Sequence, residues 1–176
     1  MFWLKFITNF IKILRAGQTP RQIAGGFALG SILGLSPHFT LQNIAIWVIL
    51  LVLDVNLSAA TVAITTFALI AFIFDPAFHR LGYFILVEIP SLQPFWTELY
   101  NAPLAPLTKF NNTVVMGSFA GAIVLFLPVY FGMKQFVIQY RAHLYVKIER
   151  WKVYQTISKS SLVQWYQRVR DLGGLR

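Results

Sequence analysis

The polar residues that could bind a ligand are concentrated in one short stretch of an otherwise apolar sequence. His38, Thr40, Gln42 and Asn43 lie inside the run 22–53, which contains no acid, lysine or arginine. Polar side chains at membrane depth are costly and usually face a protein interior or a cavity. If a helix begins just after Thr40, its free N–H groups favour an anion such as a phosphate headgroup. The alternative is that these polar groups hydrogen-bond one another and fix a turn.

A second group of ionisable residues consists of Asp75, His79 and Arg80. Asp75 and His79 are four residues apart, so a helix places both on one face. The pattern predicts either a helix cap with an interfacial ion pair, or a site that binds a headgroup or couples to protons. Glu88 adds a further ionisable group that a transport path would need.

Glycines recur at four-residue spacing in two apolar segments. Gly26, Gly30 and Gly34 leave one helix face without side chains, and Gly117 and Gly121 do the same later in the chain. Small residues at this spacing allow a second helix to approach closely. We therefore predict helix packing at both faces, with an acyl-chain groove as the alternative.

The elements that position the polar stretch follow from length and from proline. Thr19 and Pro20 predict a capped helix start. As one straight helix, the run 22–53 would be roughly 46–48 Å long, whereas the hydrocarbon core is about 30 Å thick. Pro37 interrupts that helix at 34–38, which leaves two halves of about 15 residues, each too short to cross alone. We predict a re-entrant hairpin or a broken helix here.

The remaining apolar segments predict two clear spanning helices, at 57–74 and 113–137. The Asp75-Pro76 pair predicts that the first of them ends there and that a short apolar helix follows at 77–90. Prolines and aromatic residues at 91–111 indicate a loop in an interfacial belt. The fold class is therefore an all-α integral membrane protein, with a broken or re-entrant helical hairpin plus two to four spanning helices, flanked by amphipathic interfacial helices.

Charge is scarce and lies mainly at the two ends. Only 12% of the residues are charged and the net charge is +9, whereas soluble domains have about 25% charged residues. We assign 1–18 to an amphipathic interfacial helix, 19–138 to the membrane domain and 139–176 to a basic cytoplasmic amphipathic helical tail. The basic ends place both termini in the cytoplasm. Because membrane orientation explains them, we expect no nucleic-acid partner.

Enzyme motifs are absent from the sequence. It contains no glycine-rich phosphate loop, no metal-spaced histidine cluster and no nucleophile elbow. It also contains no cysteine, which excludes disulfides and cysteine-ligated metal sites. We therefore expect no catalytic residues, no cofactor and no metal.

At residues 19–90 the sequence resembles a bacterial inner-membrane family catalogued as domain of unknown function 2062. The resemblance rests on Pro20, the run 23–30, Pro37 with Phe39 and Gln42, Asn56 and the Asp75-Pro76 pair. Members of that family have Asn-Pro at the last position, so a role that needs a neutral amide does not carry over to Asp75. The resemblance extends loosely to about residue 138.

The resemblance implies an association with lipids. Some relatives look to be joined to glycosyltransferases that act on polyprenyl-phosphate or similar lipids, and others resemble companions of large envelope proteins of the lipid-bridge type. We expect an inner-membrane subunit that handles lipid or transports it to the cell envelope, with a larger envelope or membrane protein or further copies of itself as partner. The alternatives are a small-solute or ion transporter or channel that uses Asp75, His79 and Glu88, and a membrane anchor or assembly scaffold.

Overall fold

In this computed structural model the described residues are 13, 18–37 and 39–144, and that part of the chain is helical without strands. Its α-helices are α1 Pro20–Leu35, α2 Leu41–Val52, α3 Leu57–Tyr83, α4 Gln93–Asn101 and α5 Thr113–Gln139. Short 3₁₀ turns lie at Pro90–Leu92 and Ala105–Thr108, and π-helical turns lie at Phe84–Glu88 and Tyr140–Leu144. The all-α prediction is confirmed for these residues.

Two predicted regions fall mainly outside the described residues. They are the interfacial helix at 1–18 and the basic tail at 139–176, and both stay predictions. The described part of the first compact unit extends to Val137. The described residues of the second unit, 138–144, hold the end of α5 and one π-helical turn.

Helix α1 begins and ends where local chemistry requires it. The Thr19 hydroxyl accepts a bond from the Gln22 N–H at 3.2 Å, and the Gln22 side chain accepts one from the Thr19 N–H at 2.9 Å. This reciprocal box satisfies two N–H groups of the first turn. Because Pro37 disfavours helical backbone at the residue before it, Ser36 is extended, with φ −88° and ψ 142°. The predicted interruption of the run 22–53 is therefore present.

The glycine face of α1 packs directly against the backbone of α3. Three glycines meet three partners at matched spacing: Gly26 meets Asn56, Gly30 meets Ala60 and Gly34 meets Ile64. A Cβ atom added at Gly34 would lie 2.7 Å from the Ile64 carbonyl oxygen, closer than any ordinary contact. Since the partner numbers rise together with the glycine numbers, α1 and α3 run parallel. Helix α2 connects them as the returning arm of a hairpin.

Helix α3 is continuous through Pro76, so the predicted end at 74 and the new start at 77 are wrong. Proline removes one helical hydrogen bond, but helices in apolar surroundings tolerate this loss when neighbouring elements pack against them. Phe78 and Gly82 in the second half of α3 pack on α5, which holds both halves in line. Asp75 is therefore a residue of the helix interior and not an N-cap.

The π-helical turn after α3 explains an element that the sequence did not predict. A π turn leaves backbone carbonyls without their usual helical donors. The Gln93 side chain donates to the Leu86 carbonyl at 2.6 Å, and the Trp96 indole donates to the Ile85 carbonyl at 3.2 Å. These bonds anchor α4 against the turn, where a loop was predicted over 91–111.

Helix α5 packs antiparallel to the second half of α3. A Cβ atom added at Gly117 would lie 2.7 Å from the Gly82 nitrogen and 2.8 Å from the Phe78 carbonyl carbon. Gly121 lies over the Phe78 ring, one turn further along. Among the described residues, two clusters of buried side chains lie between α1, α2, α3 and α5. One consists of Leu29, Leu33, Leu50 and Ala60, and the other of Ile32, Leu35, Phe78 and Ala122.

Within the part of the chain that the structure describes, two helical segments are long and apolar enough to cross a membrane. They are Leu57–Glu88, with a mean hydropathy of 2.2, and Thr113–Ala142, with a mean hydropathy of 2.1 over their most apolar 18 residues. In those windows only 28% and 22% of the residues are buried inside the protein. A core helix of a soluble protein would be mostly buried, so these helices present large apolar faces to their surroundings.

Candidate ligand site at the hairpin tip

The α1–α2 hairpin ends in a tip at residues 36–40, and Asn43 fixes the backbone of that tip. The Asn43 Nδ2 atom donates to the Pro37 carbonyl at 2.9 Å. Thr40 occupies the N-cap position of α2 in an extended conformation, but its hydroxyl makes no capping hydrogen bond. The Asn43 and Ile44 N–H groups donate to the Thr40 carbonyl at 3.1 Å and 3.2 Å, so the Leu41 and Gln42 N–H groups at the start of α2 keep their hydrogen-bonding capacity.

Four buried side-chain oxygen atoms at the tip have no hydrogen-bond partner among the described residues. They are Ser36 Oγ, Thr40 Oγ1, Gln42 Oε1 and Asn43 Oδ1. Thr40 is 1% exposed and Asn43 is 5% exposed, so bulk water does not reach them freely. An unsatisfied buried polar group costs about 1–3 kcal/mol. Four such groups within eight residues indicate a place where a ligand or ordered water supplies the missing bonds.

A cavity of about 500 Å³ lies beside the residues that carry two of these oxygens. Thr40 and Asn43 supply its polar lining, and the rest of the lining is apolar. The apolar residues are Leu33, Phe39, Leu41, Ile44, Trp47, Ile64 and Leu107. The site is thus amphiphilic, with two polar side chains set in a hydrocarbon wall. Pockets that combine an apolar wall with a few convergent polar groups are typical of small-molecule sites.

Phe39 holds an unusual conformation at the mouth of this cavity. Its φ is 64°, in the left-handed region that a bulky residue rarely adopts. The ring is 91% exposed although it is one of the largest apolar side chains. Strained backbone of this kind concentrates at functional sites. Because Phe39 lines the cavity and its ring is exposed, it extends the apolar wall outward from the tip.

The tip lies part-way along α3 and not at one of its ends. Gly34 packs at the level of Ile64 and Phe67, and α3 continues for 16 residues beyond Phe67, or roughly 24 Å. The 3₁₀ turn Ala105–Thr108, which contacts α2, closes one side of the cavity through Leu107. The tip therefore lies beside the middle part of α3 along the axis of that helix.

The base of the hairpin is closed by a polar cluster. The Gln22 Nε2 atom donates to Asp54 at 2.7 Å, and the Asn56 N–H donates to the Gln22 carbonyl at 3.0 Å. Asn56 also donates from its side chain to Gln18 and caps α3 by accepting from the Ala59 N–H at 2.7 Å. This cluster fixes the returning end of α2 beside the start of α1, which sets the depth of the tip.

The structure separates the predicted site residues into three places. Thr40, Gln42 and Asn43 come together at the tip, whereas His38 lies outside the described residues. Asp75, His79 and Arg80 lie on the second half of α3, where all three are exposed, and His79 Nδ1 is 2.6 Å from the Thr113 hydroxyl of α5. The glycines Gly26, Gly30, Gly34, Gly117 and Gly121 lie at helix crossings.

Sequence reasoning missed several residues of the site. Ser36 and Phe39 were not chosen, although their position beside Pro37 marked them as part of the tip. Trp47 and Leu107 line the cavity only because α2 folds back and the 105–108 turn contacts it. The local sequence around Leu107 carries no signal for that contact.

A family model described as "Uncharacterized protein conserved in bacteria (DUF2062)" matches residues 5–145 of the chain. The chain belongs to this family. The resemblance that the sequence showed at 19–90 is thereby confirmed, and the match is longer than expected. It includes the hairpin, its tip and both long apolar helices.

A curated relative of the chain has a similar length. It is an uncharacterized protein of Treponema pallidum (strain Nichols), 25% identical over 159 residues, which cover 90% of this chain and 98% of the relative. No solved structure matches the chain significantly.

Proposed function

We propose that this family member is an inner-membrane protein that handles lipid, and that the hairpin tip holds the lipid headgroup. The observation that carries the proposal is that Thr40 and Asn43, whose side-chain oxygens are buried without a partner among the described residues, line an apolar cavity. A lipid matches both parts of such a site, because its headgroup forms hydrogen bonds and its chains bury apolar surface.

The exposed surface of the helices supports a location in the membrane. Phe72, Ile73 and Val124 are 82%, 73% and 73% exposed, and each lies on a helix of spanning length. The outer face of α2 is also apolar and exposed, through Val48, Leu51 and Val52. Contiguous apolar surface of this extent is unusual on a soluble monomer, and acyl chains or a partner protein would cover it.

The short hairpin supports a re-entrant arrangement. Helices α1 and α2, of 16 and 12 residues, are roughly 24 Å and 18 Å long, less than the hydrocarbon thickness of about 30 Å. Because α1 runs parallel to α3 and its glycines start at the level of Asn56, the hairpin enters on the side where α3 begins. Irregular backbone at such depth is tolerated only where protein or a cavity surrounds it, as at this tip.

The proposed orientation places both termini in the cytoplasm and the 84–112 segment on the opposite side. That segment holds aromatic side chains in contact, with Trp96 meeting Phe95 edge to face at 4.9 Å and Phe110 in a tilted arrangement at 5.9 Å between ring centroids. Aromatic residues are enriched at membrane interfaces. A larger envelope protein, or a second copy of the chain, is the proposed partner for the exposed apolar faces.

Lipid binding at the tip is tested by mass spectrometry of the purified protein. Thr40→Val removes one unpartnered oxygen without changing side-chain size, and Thr65→Val is its matched control, because the Thr65 hydroxyl bonds a carbonyl of its own helix. We expect co-purified lipid to decrease about tenfold in Thr40→Val, as a loss of about 1.4 kcal/mol predicts, and to be unchanged in the control. Equal lipid in all three proteins would contradict the proposal.

A transporter for an ion or a small solute is the second candidate, because of Asp75. Its carboxylate is exposed on a spanning-length helix, and no described residue forms an ion pair or hydrogen bond with it. A carboxylate at such a position marks ion pathways in other membrane proteins. Flux measured in reconstituted vesicles distinguishes the two functions, since Asp75→Asn would abolish transport but leave lipid binding at the tip unchanged.

A further inference from the structure

The unpartnered atoms at the hairpin tip differ in what they are able to bind. A carboxamide oxygen only accepts hydrogen bonds, whereas a hydroxyl both donates and accepts. Asn43 Oδ1 and Gln42 Oε1 are carboxamide oxygens, and both are buried without a donor among the residues that the structure describes. If the tip binds a lipid, as proposed above, these oxygens need donors from that lipid. We infer that the headgroup must itself carry hydrogen-bond donors, namely hydroxyl or ammonium groups.

The assignment of the free Asn43 atom as oxygen follows from its neighbour. The other end of the carboxamide is 2.9 Å from the Pro37 carbonyl oxygen. A carbonyl oxygen only accepts, so the atom beside it must be the NH₂ group. Reversing the amide would place two oxygens together and leave an NH₂ group without an acceptor. The Asn43 group that is left without a partner therefore requires a donor.

The other polar groups around the tip accommodate the remainder of such a headgroup. The Thr40 hydroxyl either donates or accepts, and Thr40 lines the same cavity as Asn43. The start of α2 carries N–H groups and partial positive charge, which favour a phosphate. A phospholipid whose phosphate lies at the start of α2, with an attached ammonium or hydroxyl group near Asn43, satisfies both ends. The headgroup is therefore still expected to carry an anionic phosphate, and it must in addition carry a hydrogen-bond donor.

The requirement separates phospholipids that have the same charge. Phosphatidylethanolamine carries an ammonium group with N–H donors, and phosphatidylcholine carries a methylated one without them. Phosphatidylglycerol carries two hydroxyls, and phosphatidylmethanol has the same charge with none. A headgroup without donors leaves Asn43 Oδ1 unpaired, which predicts an affinity about 5- to 150-fold lower.

The experiment is lipid exchange on the intact full-length protein, followed by native mass spectrometry, with the four lipids carrying identical acyl chains. We expect phosphatidylethanolamine to displace phosphatidylcholine, and phosphatidylglycerol to displace phosphatidylmethanol, by at least fivefold. Equal binding within both pairs would overturn the donor requirement while leaving lipid binding in place. Failure of all four lipids to bind would overturn the proposed function as well.

Variants test whether the two carboxamides cause the preference. Gln42→Leu removes one acceptor, and Asn43→Leu removes the other together with its bond to Pro37. Asn43→Leu also removes a bond that fixes the tip, so a changed lipid preference in that variant alone would not separate binding from folding. Gln42→Leu, and the comparison of the paired lipids on the wild-type protein, do not depend on that bond. We expect each variant to bind the members of a pair more equally than the wild type does. A preference that is unchanged in both variants would overturn the assignment to these atoms.

Discussion

Replacing Gly30 by alanine tests the contact between α1 and α3 that positions the hairpin. The added Cβ atom would lie 2.7 Å from the Ala60 Cα atom, whereas ordinary contacts begin near 3.4 Å. Because the Ala60 carbonyl oxygen lies closer still, the two helices would have to separate by more than about 0.7 Å at this crossing. Overpacking of this kind costs about 1–3 kcal/mol, and it opposes the gain of about 1 kcal/mol that alanine brings to a helix interior. We expect a net destabilisation of up to about 2 kcal/mol.

Gly132 provides the matched control for Gly30→Ala. It lies inside α5, and a Cβ atom added there would meet nothing within 4 Å. Gly132→Ala should therefore be neutral or stabilising by up to about 1 kcal/mol. Both variants are compared with the wild type by denaturant unfolding in detergent, with tryptophan fluorescence as the signal that monitors unfolding. If Gly30→Ala were as stable as Gly132→Ala, the close backbone approach of α1 and α3 would be wrong.

Three further predictions test other parts of the structure. Asn56→Ala removes the cap of α3 and the bond to Gln18, so it should lower the unfolding free energy by about 1–2 kcal/mol. The unfolding free energy is measured by denaturant unfolding in detergent, and Asn101→Ala is the control. Pro76→Ala restores a helical hydrogen bond in a continuous α3, so it should raise the unfolding temperature, whereas a lower temperature would indicate that a helix starts at Pro76. Trp96→Phe keeps the ring but removes the bond to the Ile85 carbonyl, so it should increase amide hydrogen exchange in 84–101 without changing exchange in α1.

The sequence predicted the elements that depend on local chemistry. The start of α1 follows from Thr19, Pro20 and Gln22, and its end follows from Pro37, because capping and proline act within a few residues. The glycine spacing predicted close helix packing, although it did not identify the partner helix. The partner becomes clear only in three dimensions, where α3 presents Ala60 and Ile64 to the same face.

The sequence failed where neighbouring elements decided the outcome. Pro76 has the local features of a helix start, but packing of Phe78 and Gly82 against α5 keeps α3 continuous. Helix α4 forms in a proline-rich segment because Gln93 and Trp96 bind carbonyls that a π turn leaves free. Neither effect has a signal within the segment concerned.

For the candidate site, the sequence identified the polar residues but not the cavity. Thr40, Gln42 and Asn43 stood out because they interrupt an apolar run. Their burial without partners depends on the hairpin folding against α3, and the cavity wall depends on Trp47 and Leu107 from elsewhere in the chain. That the protein is not an enzyme stays a prediction.

The depth of residue 39 in the bilayer tests the central claim most directly. The chain contains no cysteine, so Phe39→Cys and Asp54→Cys each give a single labelling site on the full-length protein in vesicles. We predict that a spin label at position 39 is relaxed mainly by oxygen dissolved in the hydrocarbon, whereas one at position 54 is relaxed mainly by a water-soluble nickel complex. Relaxation of the label at 39 by the nickel complex, to the same extent as at 54, would contradict a hairpin tip at membrane depth.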